Sequence, residues 1–136
     1  MTWVVDTCVV LDVLEADPEF GRASAGLLQR LLRQGLAVSP VTMVELSAAF
    51  GGDLLEQKRF LDQAGIGYGE GWTAADTEGA HSAWNSYVRS KRAGNAPKRP
   101  IADILIGAFA ASRQGLVTRN AADFRRWFPK LTLRQP

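Results

Sequence analysis

Four acidic residues occupy positions where a carboxylate needs a chemical explanation: Asp6, Glu45, Asp103 and Asp123. The first three are each the only charged residue in an apolar stretch of at least 11 positions. Asp123 differs, because several arginines lie close to it in the sequence. Burial of an unpaired carboxylate costs several kcal/mol, so each of these side chains needs a partner, a proton or a metal ion.

If the four carboxylates meet in space, their chemistry is restricted. Neighbouring carboxylates repel each other and raise one another's pKa values, and a bound divalent cation removes that penalty. Oxygen ligands without histidine or cysteine favour magnesium or manganese over zinc. Such an ion can orient and polarise a phosphodiester and lower the pKa of an attacking water. The acids therefore indicate metal-dependent cleavage of a phosphodiester.

Each acid also has a local interpretation. Asp6 could cap the helix that follows it, and Thr42-x-x-Glu45 fits a capping box, as Asn120-x-x-Asp123 does loosely. Asp103 stands in the first turn of a predicted helix, where the helix dipole favours an anion. Taken one at a time, these interpretations are the simpler ones.

Short apolar runs alternate with longer stretches of helical periodicity. Strands are predicted at Trp3–Asp6, Leu36–Ser39, Ile66–Tyr68, Gly115–Thr118 and Leu131–Leu133. Helices are predicted at Thr7–Glu15, Arg22–Arg33, Thr42–Phe50, Leu54–Gln63, Ala74–Arg92, Ile101–Ser112 and Ala121–Trp127. This alternation is typical of an α/β protein with a parallel sheet covered by helices on both faces.

The predicted elements bring the four acids to one edge of the sheet. Asp6 directly follows the first strand, Glu45 lies in the helix after the second, and Asp123 follows the Gly115–Thr118 strand. Asp103 begins the helix that leads into that same strand. In such folds the functional crevice lies beyond the carboxyl ends of the strands. We therefore expect one carboxylate cluster.

Length and composition limit the number of domains and the class of protein. The 136 residues fit a single domain, and 46% hydrophobic with 22% charged residues is typical of a globular protein. The only cysteine is Cys8, which excludes an internal disulfide and suits a reducing cytoplasm. No apolar run approaches the roughly 20 residues that cross a bilayer, and the N-terminus has no pattern of a signal peptide. We expect one cytoplasmic domain over residues 1–136 with no membrane contact.

The charge is distributed unevenly along the chain. The formal net charge is +2, but residues 1–88 carry 5 basic and 12 acidic side chains, while residues 89–136 carry 11 basic and 2 acidic ones. The first part is thus at −7 and the second at +9. Such asymmetry indicates a polyanionic partner, although a solvated basic surface is equally compatible with it.

Four segments that contain the acids span nearly the whole chain. They are Val4-Val5-Asp6-Thr7, Thr42-x-x-Glu45-Leu46, the run from Pro100 through Asp103 to Ala108, and Leu116-Val117-Thr118-Arg119-Asn120-x-x-Asp123-Phe124. In these segments and in their order, the sequence resembles the PIN-domain ribonucleases, and specifically the VapC-type toxins of toxin–antitoxin pairs. The resemblance rests on the ordered set rather than on any one segment.

The resemblance implies a PIN-like three-layer α/β/α fold with a short, mostly parallel central sheet. It also implies an endoribonuclease that uses Mg²⁺ or Mn²⁺ and whose hydrolysis leaves a 3′-hydroxyl and a 5′-phosphate. Asp6 and Asp103 would be direct metal ligands, Glu45 would complete the site directly or through water, and Asp123 would hold a second ion or orient a water. The implied partners are an RNA substrate, a small VapB-type antitoxin protein and a second copy of the chain in a homodimer.

Further residues are expected to support the acids. The resemblance implies that Thr7, Thr118 and Asn120 fix the carboxylates by hydrogen bonds. Cys8 departs from the Ser or Asn that the family often has there, and a thiol is a poorer hydrogen-bond partner than a hydroxyl. Arg92, Lys98 and Arg99 lie in or beside the basic segment before Asp103, and Arg119 follows a strand end. These four are the candidates for RNA phosphate contacts.

Other polar and aromatic side chains have simpler interpretations. His81, the only histidine, is expected on a helix face rather than in a nucleophilic pair with Cys8. Asp12 and Glu15 are expected to be solvated helix charges. Trp72, Trp84 and Tyr87 could stack on bases, but core packing is the preferred interpretation.

Other function classes fit less well. A haloacid dehalogenase-type phosphatase needs a second Asp where this chain has Cys8, and a receiver domain needs an acid pair and a late Lys that are not evident. The alternative from a different class is a non-catalytic RNA- or antitoxin-binding module, which would retain RNA without cutting it.

Overall fold

The computed structural model describes residues 2–94 and 100–136 of the chain. Its strands are β1 (Trp3–Val5), β2 (Leu36–Ala37), β3 (Ile66–Gly67), β4 (Gly115–Val117) and β5 (Leu133–Arg134). Its α-helices are α1 (Thr7–Leu14), α2 (Gly21–Leu31), α3 (Pro40–Glu45), α4 (Leu54–Ala64), α5 (Ala74–Arg92), α6 (Ile101–Ala111) and α7 (Ala121–Trp127). Short 3₁₀ helices follow α2 and α3, at Leu32–Gln34 and Leu46–Phe50.

The five described strands form one sheet in the order β3-β2-β1-β4-β5, and every pairing is parallel. The first strand is central: Trp3 pairs with Leu36 on one side and with Gly115 on the other. The carboxyl ends of β1, β2 and β4 therefore lie side by side. The segments that leave these three ends lead to Asp6, Glu45 and Asp123.

Alternate residues of β1 supply the two faces of the sheet, as the period of a strand requires. Trp3 and Val5 belong to a core that includes Val9 of α1 and Leu27 of α2. Val4 points to the other face and packs in a cluster with Phe109 of α6. Helices thus cover both faces, and the expected PIN-like three-layer α/β/α architecture is confirmed.

Helix α5 packs outside α6 and runs antiparallel to it. Gly79 of α5 lies beside Ala108, and Trp84 lines a small cavity together with Ile101 of α6. The last turns of α5, which end at Arg92, therefore extend past the N-terminus of α6. Arg92 and Asp103 consequently belong to the same end of this helix pair.

A buried acid ties α5 to the end of α6. Asp76 is fully buried and completes the capping box that begins α5. It accepts hydrogen bonds from Ser112 and pairs with Arg113 at 3.4 Å. Burial alone would raise the pKa of Asp76, but these bonds, the Thr73 backbone N–H and the Arg113 charge together lower it below its usual value. The ionised form of Asp76 therefore stabilises the fold.

Most predicted elements are confirmed to within one or two residues at each end, and two elements need a correction. The predicted helix Thr42–Phe50 starts earlier, because Ser39 caps it and Pro40 takes the first helical position, and it tightens to 3₁₀ after Glu45. The last strand is Leu133–Arg134 rather than Leu131–Leu133, because the register pairs Leu116 with Leu133.

None of the described helices is both long and apolar enough to cross a membrane.

Candidate active site

Asp6 lies at the junction of β1 and α1, buried to 5% exposure. One carboxylate oxygen accepts the Thr7 backbone N–H at 2.8 Å, so the capping interpretation of Asp6 is confirmed. The other oxygen accepts the Thr118 hydroxyl at 2.7 Å. Burial raises the pKa of Asp6, these hydrogen bonds and one from Cys8 oppose the rise, and the charge of Glu45 adds to it; the pKa is raised overall. Capping and membership of an acidic cluster are thus compatible.

Glu45 ends α3 with an exposed side chain. Its Oε1 accepts the Thr7 hydroxyl at 2.7 Å. The capping-box interpretation of Thr42 and Glu45 is wrong, because Ser39 is the cap and accepts the Thr42 backbone N–H at 3.1 Å. The Glu45 carboxylate is thereby directed toward α1 instead of back onto its own helix.

A chain of hydroxyls leads from the sheet edge to Glu45. The Thr7 hydroxyl lies 2.9 Å from that of Thr42, and Ser39 donates to Thr42 at 3.4 Å. Thr7 donates to the carboxylate, which can only accept, so Thr42 must donate to Thr7. Ser39 and Thr42 are fully buried, and neither was among the predicted site residues. Their signal was the run Ser39-Pro40-x-Thr42, which also marks a helix start.

Asp103 lies in the first turn of α6 and is partly buried. Burial raises its pKa to about 6, with further contributions from the charges of Asp6, then Asp123, then Glu45. This side chain thus experiences the charge of each of the other three acids. The four carboxylates come from four separate segments of the chain, and the other three lie close enough to Asp103 for their charges to act on it.

Asp123 occupies the first turn of α7 with an exposed side chain. The capping box proposed for Asn120 and Asp123 is wrong, because the Asn120 side chain makes no capping hydrogen bond. The backbone N–H of Asn120 instead donates to the Thr118 hydroxyl at 3.0 Å. Thr118, which is fully buried, thus connects the segment after β4 to Asp6.

The side chains of the acidic cluster are not already arranged as a set of metal ligands. Within residues 2–94 and 100–136, no three His, Cys, Asp or Glu side chains are arranged so that they could hold an ion together. The donor chemistry nevertheless fits Mg²⁺ or Mn²⁺, since the cluster offers hard carboxylate oxygens and its own repulsion raises the pKa of Asp103. Glu45 and Asp123 are exposed, so their side chains have space to change rotamer.

Cys8 contacts the same carboxylate. Its sulfur lies 3.4 Å from the second oxygen of Asp6, as a weak donor. Burial and the Asp6 charge raise the pKa of the thiol to about 11. A nucleophilic role requires a thiolate, so the rejection of a Cys8–His81 pair is supported. His81 lies exposed on α5, as expected for a helix-face residue.

The prediction that Asp12 is a solvated helix charge is wrong. Asp12 is 3% exposed, and both of its carboxylate oxygens bind Arg119, at 2.7 and 3.0 Å. The pair is not predictable from local sequence, because 107 residues separate its members. Glu15 lies exposed at the end of α1, as expected.

The predicted RNA-binding residues are placed unequally. Arg92 is exposed in the last turn of α5, at the end where α6 begins. Arg119 is occupied by Asp12. Lys98 and Arg99 lie outside the described residues. The binding of RNA by all four stays a prediction.

The aromatic side chains serve mainly in packing. Tyr87 is 2% exposed and contacts Trp84 and Trp127. Trp72 stacks on Phe109 at 6.3 Å between ring centroids. The preferred interpretation of core packing is therefore confirmed for Trp72, Trp84 and Tyr87.

Comparison with solved structures identifies the same fold elsewhere. One match is VapBC2 from Rickettsia felis, solved bound to a DNA fragment from their promoter, with a TM-score of 0.73 and 19% identity over 99% of this chain and 98% of that one. Another is VapBC-1 from nontypeable Haemophilus influenzae, with a TM-score of 0.67 and 20% identity over the same shares of the two chains. No protein-family model and no curated protein sequence matches the chain. The chain therefore shares the fold of these VapBC proteins, and the resemblance found in its motifs is confirmed at the level of the fold.

Proposed function

We propose that this protein is a metal-dependent endoribonuclease of the PIN-like fold, acting as the toxin of a toxin–antitoxin pair. The observation that carries the proposal is the placement of the four acids: Asp6, Glu45 and Asp123 follow the carboxyl ends of β1, β2 and β4, and Asp103 lies in the first turn of α6 near enough to be affected by their charges. Four acids from separate segments meet at the carboxyl edge of a parallel sheet, which is where such folds place their sites. A structural role for four acids does not require that they meet.

Asp6 and Asp103 would be the direct ligands of Mg²⁺ or Mn²⁺, with Glu45 and Asp123 completing the site. A bound ion would supply polarisation of the phosphodiester and a more acidic water. Thr118 and the Thr7 backbone hold Asp6, and the Thr7 hydroxyl holds Glu45. These bonds leave the two carboxylates ordered before an ion arrives, which reduces the cost of binding it.

The reaction is hydrolysis of the RNA backbone. The oxygen of a water forms a bond to phosphorus and the bond from phosphorus to the 3′ oxygen breaks. The 3′ oxygen takes up a proton and leaves as a hydroxyl, so the other product carries a 5′-phosphate. Arg92, together with Lys98 and Arg99, would hold the RNA backbone beside Asp103. The excess of basic residues after position 88 supports a polyanionic substrate.

A protein partner is part of the proposal. Two of the structural neighbours are VapBC proteins, and one of them was solved with a promoter DNA fragment. We infer a small VapB-type antitoxin that neutralises this chain, and a homodimer of the chain itself. Co-expression with the adjacent open reading frame should relieve toxicity and yield a complex on size-exclusion chromatography.

The decisive assay uses purified protein and total RNA with Mg²⁺, with Mn²⁺ and with EDTA. We expect cleavage that needs the metal and is abolished by Asp103→Asn, while Glu78→Gln, which alters an exposed acid of α5, cuts normally. RNA retention without cleavage in any metal would instead support the non-catalytic binding module. Equal cleavage by wild-type and Asp103→Asn protein would refute the assigned site.

A further inference from the structure

The most unusual charged group outside the acidic cluster is the ion pair of Asp12 and Arg119. Arg119 binds both oxygens of Asp12, and its guanidinium group lies 4.2 Å from the centroid of the Phe20 ring. Ser24 of α2 donates a third hydrogen bond to Asp12 at 3.0 Å. The pair therefore joins α1, α2 and the segment that leaves β4.

This pair is poorly explained by stability alone. A buried ion pair often stabilises a fold no better than apolar residues of the same volume. What a two-pronged arginine–carboxylate contact supplies is a defined orientation of both partners. The orientation fixed by this pair acts on the residues bonded next to Asp12 and Arg119.

Thr118, which precedes Arg119 in the chain, binds the carboxylate of Asp6. Thr118 donates the 2.7 Å hydrogen bond to the buried oxygen of Asp6, and the backbone N–H of Arg119 is directed toward Cys8, which contacts the same oxygen. Asp12 stands on α1, the helix that Asp6 caps. Asp12 thus belongs to the helix that Asp6 caps, and Arg119 belongs to the segment whose Thr118 binds the Asp6 carboxylate.

We propose that Asp12 and Arg119 are positioning residues for Asp6, and that Arg119 is not an RNA contact. The ion pair fixes Thr118 against Asp6 and so sets the geometry in which Asp6 meets the metal. This inference rests on the proposed function, because it assigns a role within the same site. It also revises the expected task of Arg119, whose charge is already matched by Asp12.

The test is a double-mutant cycle on the full chain with Asp12→Asn, Arg119→Gln and both together. We expect each variant to lower kcat about 10- to 100-fold and to weaken Mn²⁺ binding by a similar factor, with the double variant no worse than either single one. The Kd for RNA, measured in EDTA by fluorescence anisotropy, should stay within about twofold of wild type. Arg119→Lys should restore little, since lysine cannot make the two-pronged contact.

The exposed pair of Glu56 and Arg59 on α4 provides the matched control. Glu56→Gln and Arg59→Gln should leave kcat, Mn²⁺ affinity and RNA affinity unchanged. Ser24→Ala removes only one bond to Asp12 and should shift Mn²⁺ affinity in the same direction by less. It keeps the proposal testable if the charge variants do not fold.

Three results would overturn the inference. Weaker RNA binding by Arg119→Gln with a smaller salt dependence would make Arg119 a phosphate contact. A lower melting temperature with unchanged kcat and Mn²⁺ affinity would make the pair purely structural. Additive losses in the double variant would show that the two residues act separately. If wild-type protein neither binds Mn²⁺ nor cuts RNA, the proposed function itself fails and this inference fails with it.

Discussion

Replacement of Asp103 by asparagine should stabilise the metal-free protein above pH 6. The folded-state pKa of Asp103 is about 6, against 3.8 for the unperturbed side chain. Because the folded state holds the Asp103 proton more tightly than the unfolded state does, stability falls as the pH rises from the unfolded pKa near 3.8 to the folded pKa of about 6, and it is level above that. Above pH 6 the ionised Asp103 therefore destabilises the folded state. Asparagine has no charge, so it does not carry this free-energy cost.

The size of the stability gain can be calculated from the shift in the pKa of Asp103. At about 1.4 kcal/mol per pKa unit, the shift corresponds to roughly 3 kcal/mol. Partial exposure and screening by salt reduce this. The asparagine also loses a favourable interaction with the N-terminus of α6, about 0.5 kcal/mol. We expect a net gain of about 1–2 kcal/mol in the free energy of unfolding at pH 7.5.

Urea denaturation in EDTA at several pH values between 4 and 8 measures this directly. The gain should be smallest near pH 4, should grow as the pH rises from about 4 to 6, and should stay level above pH 6. Glu78→Gln, which changes an exposed acid of α5, should show no such pH dependence. An Asp103→Asn protein that is less stable than wild type at pH 7.5 without metal would show that the charge of Asp103 does not oppose folding.

Three further outcomes follow from the structure. Thr118→Val should destabilise the fold by about 1–3 kcal/mol in urea denaturation, because buried Asp6 loses a donor, and Thr118→Ser should largely restore it. Between pH 7 and pH 2 the free energy of unfolding should fall by more in wild type than in Asp76→Asn, as measured by urea denaturation. The pKa of Asp76 is lowered in the folded state, so its stabilising contribution is lost as the pH falls below about 4. Gly107→Ala should lower the melting temperature, because a Cβ there would collide with the Phe128 ring, at a cost of about 1–3 kcal/mol.

The order of elements and the meeting of the acids were predictable from the sequence for a simple reason. Parallel strands place their carboxyl ends at one edge, so residues that follow β1, β2 and β4 must converge there. A solitary acid in an apolar stretch can mark a buried charge that needs a partner, as it does at Asp6, whereas Glu45 is exposed. Asp6 illustrates both arguments, since it is a helix cap and a member of the cluster at once.

Contacts between distant side chains were not predictable in this way. Nothing in the local sequence of Asp12 distinguishes it from a solvated helix acid, because its partner Arg119 follows β4, 107 residues later. The cap of α3 was misassigned to Thr42 because Ser39 and Thr42 offer equally good hydroxyls, and the choice depends on how β2 ends. Periodicity predicts which face of an element is buried, but it does not predict the partners of a buried polar atom.

Direct binding of Mn²⁺ shows whether the four carboxylates form one divalent-metal site. It is measured without RNA by electron paramagnetic resonance of free Mn²⁺, titrated with wild-type, Asp103→Asn and Glu78→Gln protein. We expect saturable binding by the wild type and by Glu78→Gln, and loss of binding in Asp103→Asn. Equal binding by all three proteins, or no binding by any of them, would rule out a metal site at these acids.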